Sequence, residues 1–164
     1  MTVVTETFGI GNVQVPAVVF THERPRAYAI VVHGYGGCKE EALGLAWRIA
    51  KEGLTVAAID LRGHGENERL YDTSILEDVD LVVRHLKRSG KVLAVGHSLG
   101  GRLCLLSQAD CKIGISPALG QSFGQATVNL ITTMRAHRVR EERAGINFDT
   151  LNILPLWTIP NIPP

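Results

Sequence analysis

The stretch that decides the fold is L-A-V-G-H-S-L-G-G-R-L at residues 93–103, which holds a single serine, Ser98. An apolar run at 92–95 precedes the serine and is typical of a strand buried on both faces. Leucines at helical spacing follow the serine, namely Leu99, Leu103 and Leu106. The pattern therefore predicts that Ser98 lies at a sharp turn from a buried strand into a helix.

Glycines stand two positions before and two positions after the serine, at Gly96 and Gly100. Because glycine has no Cβ, a strand and a helix can approach each other closely at these positions. Such a turn holds its serine in a strained conformation, lifts the hydroxyl above the sheet edge and aims the first amides of the helix at a ligand. That geometry suits a nucleophile. A glycine-rich chain also produces G-x-S-x-G by chance, so the flanking strand and helix are what make the motif informative.

Length and composition are those of one ordinary globular domain. The chain has 164 residues, 45% of them hydrophobic, and a formal net charge of +1, so it can bury a substantial core. It lacks the basic excess of a nucleic-acid-binding protein, and no run approaches the roughly 18 apolar residues of a membrane span. Without a recognisable signal segment, the expected location is the cytoplasm. We expect no cofactor and no metal site, since three cysteines lack ligand spacing and are expected to be reduced and mostly structural: Cys38, Cys104 and Cys111.

Strand and helix patterns alternate before and after this stretch. Two antiparallel strands come first, and the remaining strands are each separated by a helix. We expect Trp47 on the inner face of the first helix, and Ser74 and Glu77 as a capping box at the start of the second. The alternation predicts a mostly parallel sheet with helices on both faces. The expected strands are 2–8, 13–20, 28–32, 55–59, 92–95 and 112–115, and the expected helices are 40–52, 74–90 and 99–110.

The pattern changes after residue 118. From Gly120 onward the spacing of Val128, Ile131 and Met134 indicates an amphipathic helix, not another strand-helix unit. The stretch 153–164 is apolar, carries four prolines and cannot be a central strand. A sheet that ends with the strand at 112–115 would leave an open edge, so we expect that the chain could associate with itself there.

Three motifs together resemble the α/β-hydrolase superfamily: H-G-Y-G-G at 33–37, D-L-R-G-H-G at 60–65 and G-H-S-L-G-G at 96–101. Within it, the chain is most similar to the esterase, monoacylglycerol-lipase and serine-aminopeptidase-like branch, over about residues 10–118. The resemblance implies an α/β-hydrolase fold that lacks its last strands. Residues 1–118 would be the N-terminal part of the core, and 119–164 the start of a lid insertion followed by the proline-rich tail.

The resemblance also implies roles for particular residues. Ser98 would be the nucleophile that cleaves a small-molecule acyl substrate, an ester or amide, through an acyl-serine intermediate. The backbone N–H groups of Leu99 and Tyr35 would form the oxyanion hole, where fixed amides stabilise the developing negative charge. Asn67 stands where similar hydrolases commonly carry serine, and Asp60 is expected to anchor a loop. The neighbouring loop residues that shape the site would be His33, Gly34, Gly36, Gly37 and His97.

A serine hydroxyl needs a histidine base and a carboxylate that orients it, and in similar hydrolases both follow the serine. Here His137 is the one histidine after Ser98. Asp110 would stand roughly 18 Å from the serine, at the far end of a helix. His137 stands beside arginines, which is typical of a solvated face of a lid helix; as the alternative, His137 would be the base with Asp149 or Glu141 as its partner. Two hypotheses follow. The chain is part of a serine hydrolase whose base and acid come from elsewhere, or it is a non-catalytic binding or scaffold remnant of the fold.

Overall fold

The computed structural model describes residues 1–120 and 122–158. The last part of the expected proline-rich tail, 159–164, lies outside the described residues. The strands are β1 (Thr2–Ile10), β2 (Val13–Thr21), β3 (Tyr28–Val32), β4 (Thr55–Ile59), β5 (Val92–His97) and β6 (Cys111–Ile115). The helices are α1 (Lys39–Ala50), α2 (Leu76–Lys87), α3 (Leu99–Leu106), α4 (Gln125–Arg135) and α5 (Ile146–Ile153), with one 3₁₀ turn at Ala136–Arg138.

The described strands form one sheet in the order β1-β2-β4-β3-β5-β6. The first two strands pair antiparallel, β2 also pairs antiparallel with β4, and the other pairs are parallel. In this register Val32, the last residue of β3, lies opposite Ile59 of β4 and Gly96 of β5. The loops that follow these three parallel strands therefore leave the sheet at one edge, which brings the three motifs together.

Apolar side chains cover the two faces of the sheet. One face packs on α1 through three alanines, Ala42, Ala46 and Ala50. The other face packs on α2 and α3 through larger side chains, including Val79, Val82, Leu86, Leu99 and Leu103. The predicted architecture, a mostly parallel sheet with helices on both faces, is confirmed.

Two local predictions are wrong. Trp47 does not face the sheet: it is 43% exposed, and its ring lies under the ammonium group of Lys51, 4.7 Å from the ring centroid. Ser74 and Glu77 do not form a capping box, because α2 begins after Ile75 without a side-chain cap. The Ser74 N–H instead donates to Asp72 Oδ1.

The segment after β6 is helical, as expected, but it contains two helices. The amphipathic pattern around Ile131 corresponds to α4, while α5 was not predicted. No helix within the described ranges is long and apolar enough to cross a membrane. The outer edge of β6 is open, because the described part of the chain places no strand beyond it.

Candidate active site

Ser98 is the single residue between β5 and α3, and its backbone has φ 53° and ψ −116°. A non-glycine residue at positive φ costs about 1–3 kcal/mol, so the surrounding structure has to hold it. The Ser98 N–H donates to the carbonyl oxygen of Ile115 at 3.0 Å. The Ser98 carbonyl oxygen accepts from the N–H groups of Arg102 and Ala118 at 3.1 and 3.0 Å. Hydrogen bonds to β6, to α3 and to the loop after β6 thus fix the serine backbone.

The two glycines beside the serine are required by backbone contacts. A Cβ on Gly96 would lie 2.3 Å from the carbonyl oxygen of Gly100. A Cβ on Gly100 would lie 2.3 Å from the carbonyl oxygen of His33 and 2.5 Å from that of Val32. The start of α3 therefore packs directly on the end of β3, and any side chain at either glycine would force them apart.

The loop at 33–37 lies against the serine. A Cβ on Gly34 would meet Ser98 Cβ at 3.3 Å. The two residues share a cavity of about 180 Å³ with Tyr35, His97 and Ile131. His97 is exposed at the end of β5 and also lines a second cavity of about 180 Å³, on the side of Glu41 and Leu45. Of the loop residues named from the sequence, Gly34 and His97 line the cavity of Ser98. Gly36 and Gly37 line a separate cavity with Gly65 and Arg138, and His33 lines the cavity on the side of Glu41.

His33 and His64 are both buried, and each binds backbone groups through both ring nitrogens. Nδ1 of His33 hydrogen-bonds the carbonyl oxygen of Gly34, and its Nε2 accepts from the N–H of Leu61. Burial lowers the pKa of His33. Burial, together with His33 and Arg140, lowers the pKa of His64 to about 3. Both rings are neutral at physiological pH and connect loops rather than contact the serine.

Asp60 is an anchor between loops, as expected. Its carboxylate accepts from the backbone N–H groups of Lys39 and Glu66, at 2.8 and 2.9 Å, and from Lys39 Nζ at 2.7 Å. Asn67 donates from Nδ2 to the Asp60 carbonyl oxygen at 3.1 Å. The asparagine that replaces the serine of similar hydrolases therefore closes the loop at 60–67.

The three carboxylates considered as partners of a histidine base all bind other groups. Asp110 accepts from the Val92 N–H and pairs with Lys87. Glu141 accepts from the Tyr35 hydroxyl, and Asp149 pairs with Arg143 at 2.5 Å. Over 1–120 and 122–158, no histidine side chain hydrogen-bonds the Ser98 hydroxyl or any of these three carboxylates.

The structure adds contacts that the sequence did not indicate. The segment containing Glu141 and Asn147 packs on the loop at 60–71: the buried Tyr71 donates from its hydroxyl to Asn147 Oδ1 at 3.1 Å, and its N–H donates to the Arg140 carbonyl oxygen. Most of these contacts join residues about 70 positions or more apart, so no local pattern could have revealed them. Arg102 is fully buried and donates to carbonyl oxygens on both sides of this segment, those of Ala118, Gly120, Leu154 and Pro155.

Comparison with known proteins agrees with this architecture. The model of the alpha/beta hydrolase family matches residues 29–161. The chain belongs to the α/β-hydrolase family. The matched range contains all three motifs and every residue named above at the site, so the resemblance inferred from the sequence is confirmed.

Individual α/β-hydrolase relatives carry acyl-hydrolase names. A Haemophilus influenzae protein that bears the name esterase/lipase is 34% identical over 110 residues, which covers 60% of this chain and 38% of that protein. A thermostable carboxyl esterase from Bacillus coagulans, solved with glycerol, is 25% identical with a TM-score of 0.53, over 64% of this chain and 39% of the esterase. A thioesterase domain from the curacin biosynthetic pathway is 26% identical with a TM-score of 0.56, over 65% and 39%. The chain thus spans about two fifths of the length of these relatives.

Proposed function

We propose that Ser98 is the nucleophile of a serine hydrolase that cleaves carboxylic esters or amides through an acyl-serine intermediate. The observation that carries this proposal is the positive φ of Ser98 at the junction of β5 and α3, beside a cavity. A strained conformation persists only where its neighbours hold it, and such residues cluster at functional sites. Three relatives named as an esterase/lipase, a carboxyl esterase and a thioesterase support the acyl substrate.

The backbone beside Ser98 suits the charge that acyl transfer develops. Leu99 begins α3, and the first N–H groups of a helix have no acceptor within it. We propose that the Leu99 N–H and the Tyr35 N–H donate to the carbonyl oxygen of a small acyl substrate as it becomes negative. One such donor stabilises the transition state by about 3–4 kcal/mol. Gly34, Gly36 and Gly37 let this loop approach the substrate closely.

Ser98 also requires a base. Because no histidine in the described ranges hydrogen-bonds its hydroxyl, we propose that the base and its carboxylate come from polypeptide outside these ranges, in the same chain or another. The second candidate function is a binding or scaffold protein with the same fold. This second function is favoured because no histidine in the described ranges hydrogen-bonds the Ser98 hydroxyl, and an unassisted serine is a weak nucleophile at neutral pH.

Labelling with a fluorophosphonate probe separates the two functions. We expect the native protein, assembled with the polypeptide that supplies the base and its carboxylate, to be labelled and Ser98→Ala not to be labelled. Ser116→Ala is the matched control, because Ser116 is also a serine at positive φ, 43°, near the same sheet edge; this variant should be labelled like the native protein. Absence of labelling in this folded assembly, from mildly acidic to alkaline pH, would favour the binding or scaffold function. Slow ester turnover is not a useful readout, since an incomplete triad retains about 10³–10⁴-fold catalysis over water.

The open edge of β6 carries the proposal that two copies associate. Ile113 and Ile115 are 49% and 41% exposed on this strand, and unpaired strand edges favour pairing with a second chain. We expect sedimentation velocity to show a dimer that forms with rising concentration, and Ile113→Lys to weaken it. Val3→Lys on β1, the opposite edge, is the control. If Val3→Lys alone weakened the dimer, the interface would be at β1 instead.

A further inference from the structure

His64, the histidine of the R-G-H-G motif, is fully buried and connects two loops. Its Nε2 accepts from the backbone N–H of Gly36 at 3.0 Å. Its Nδ1 lies 2.9 Å from the carbonyl oxygen of Arg62. An N–H group must meet a lone pair, and a carbonyl oxygen must meet a proton. These two partners therefore place the proton of the neutral ring on Nδ1 and leave Nε2 as the acceptor.

The surroundings keep this ring neutral. The ring centroid of His33 lies 4.9 Å away, and those of Tyr35 and Tyr71 each lie 5.8 Å away. Burial, His33 and Arg140 all disfavour a second proton and lower the pKa of His64 to about 3. The Asp60 carboxylate, which would favour a cation, pairs with Lys39 Nζ at 2.7 Å and lies 4.0 Å from Nε2 of His33. The Nε2 lone pair is therefore present throughout the neutral pH range.

The loop that His64 contacts is a tight turn. The Gly37 N–H donates to the carbonyl oxygen of Gly34 at 3.0 Å. Gly36 has φ 73°, while Tyr35 is not among the residues at positive φ. These are the features of a type II turn, with Tyr35 and Gly36 at its two central positions. A type II turn differs from a type I turn mainly by a rotation of the central peptide, whose N–H here is that of Gly36.

We infer that His64 is a positioning residue that holds the Tyr35–Gly36 peptide in one of its two orientations and so sets the shape of the loop facing Ser98. If this peptide rotated, its carbonyl oxygen would point at the Nε2 lone pair, which repels it. The loop at 34–37 then has one stable form beside the cavity of Ser98. This inference rests on the proposed function insofar as that loop serves acyl transfer.

Two neutral variants distinguish the two hydrogen bonds of the ring. In His64→Gln, the amide oxygen can replace Nε2 and accept from Gly36. In His64→Asn, the shorter side chain reaches only the Nδ1 position, so it can donate to Arg62 but not accept from Gly36. Both variants are polar and uncharged. A general loss of core packing should therefore change the labelling rate of Ser98 equally in the two variants.

Fluorophosphonate labelling measures the consequence for Ser98. We expect His64→Asn to lower the maximal labelling rate about 10-fold, the equivalent of one hydrogen bond of about 1.4 kcal/mol, with little change in the probe concentration at half-maximal rate. His64→Gln should restore the rate to within about 3-fold of the native protein. Equal rates for the two folded variants would overturn the inference.

Nuclear magnetic resonance gives a readout that needs no activity and uses the native protein. We expect the ¹⁵N spectrum of the His64 ring to show the neutral form protonated at Nδ1 down to about pH 5. The Gly36 amide should be protected from hydrogen exchange in the native protein and in His64→Gln, and should lose protection in His64→Asn. A ring protonated at Nε2, or an unprotected native Gly36, would overturn the inference even if Ser98 is labelled. An unlabelled native protein with these spectra would instead contradict the proposed function alone.

Discussion

Asp78→Ala is expected to lower the free energy of unfolding by about 3–5 kcal/mol, because it leaves the buried guanidinium of Arg62 without its main counter-charge. Both side chains are fully buried. Asp78 accepts from the Arg62 N–H, from its Nε and from its Nη2, the last at 2.7 Å. Removal of the carboxylate would leave donors that water cannot reach. Urea denaturation followed by circular dichroism measures the loss.

Glu77→Ala is the matched control for this prediction. Glu77 is the preceding residue and contacts the same guanidinium at 3.3 Å, but its side chain is 63% exposed. An exposed ion pair contributes about 0–1 kcal/mol, so this variant should be nearly as stable as the native protein. If the two variants lost equal stability, burial would not be what makes the Asp78 contact important.

Gly100→Ala is expected to lower the free energy of unfolding by about 3 kcal/mol or more and to abolish labelling of Ser98. Its Cβ would meet two carbonyl oxygens of the β3 end at 2.3 and 2.5 Å. Backbone atoms cannot rotate away as a side chain can, so α3 must move from β3. Because Ser98 immediately precedes α3, the same shift would displace its hydroxyl from the loop at 33–37.

Gly44→Ala is the control for a glycine within a helix. Gly44 lies in α1, and a Cβ at this position would meet nothing within 4 Å. Alanine has the higher helix propensity, so this variant should gain about 0.5–1 kcal/mol. Thermal melting and urea denaturation of both variants compare a glycine required by contacts with one that is not. A destabilised Gly44→Ala and an unchanged Gly100→Ala would contradict this assignment.

Local patterns predicted the order of the first nine elements and the position of Ser98 between β5 and α3. These features follow from short-range periodicity and from glycine spacing, which a single sequence records. The same patterns failed where a side chain could contact either of two partners. Trp47 lies over Lys51 rather than on the sheet, and Glu77 reaches Arg62 rather than Ser74.

Other parts of the site could not be predicted because they depend on contacts distant in sequence. The motif at 60–65 contributed to the resemblance and Asp60 was expected to anchor a loop, but nothing in the motif indicated that the His64 ring would bind the Gly36 amide, 28 positions away. The bond from Tyr35 to Glu141 spans 106 positions. The first pair becomes visible only when the parallel register of β3 and β4 brings their loops to one edge, and the second only when the segment after α4 packs on the loop after β3.

The close packing of Gly96 and Gly100 has a consequence for the redesign of this scaffold. The backbone of Ser98 is held by main-chain contacts and main-chain hydrogen bonds, not by the side chains that line its cavity. Side chains such as Ile131, which faces the cavity from α4, can therefore be exchanged while the serine keeps its position. Libraries that randomise the cavity wall and preserve the two glycines would vary substrate preference on a constant frame.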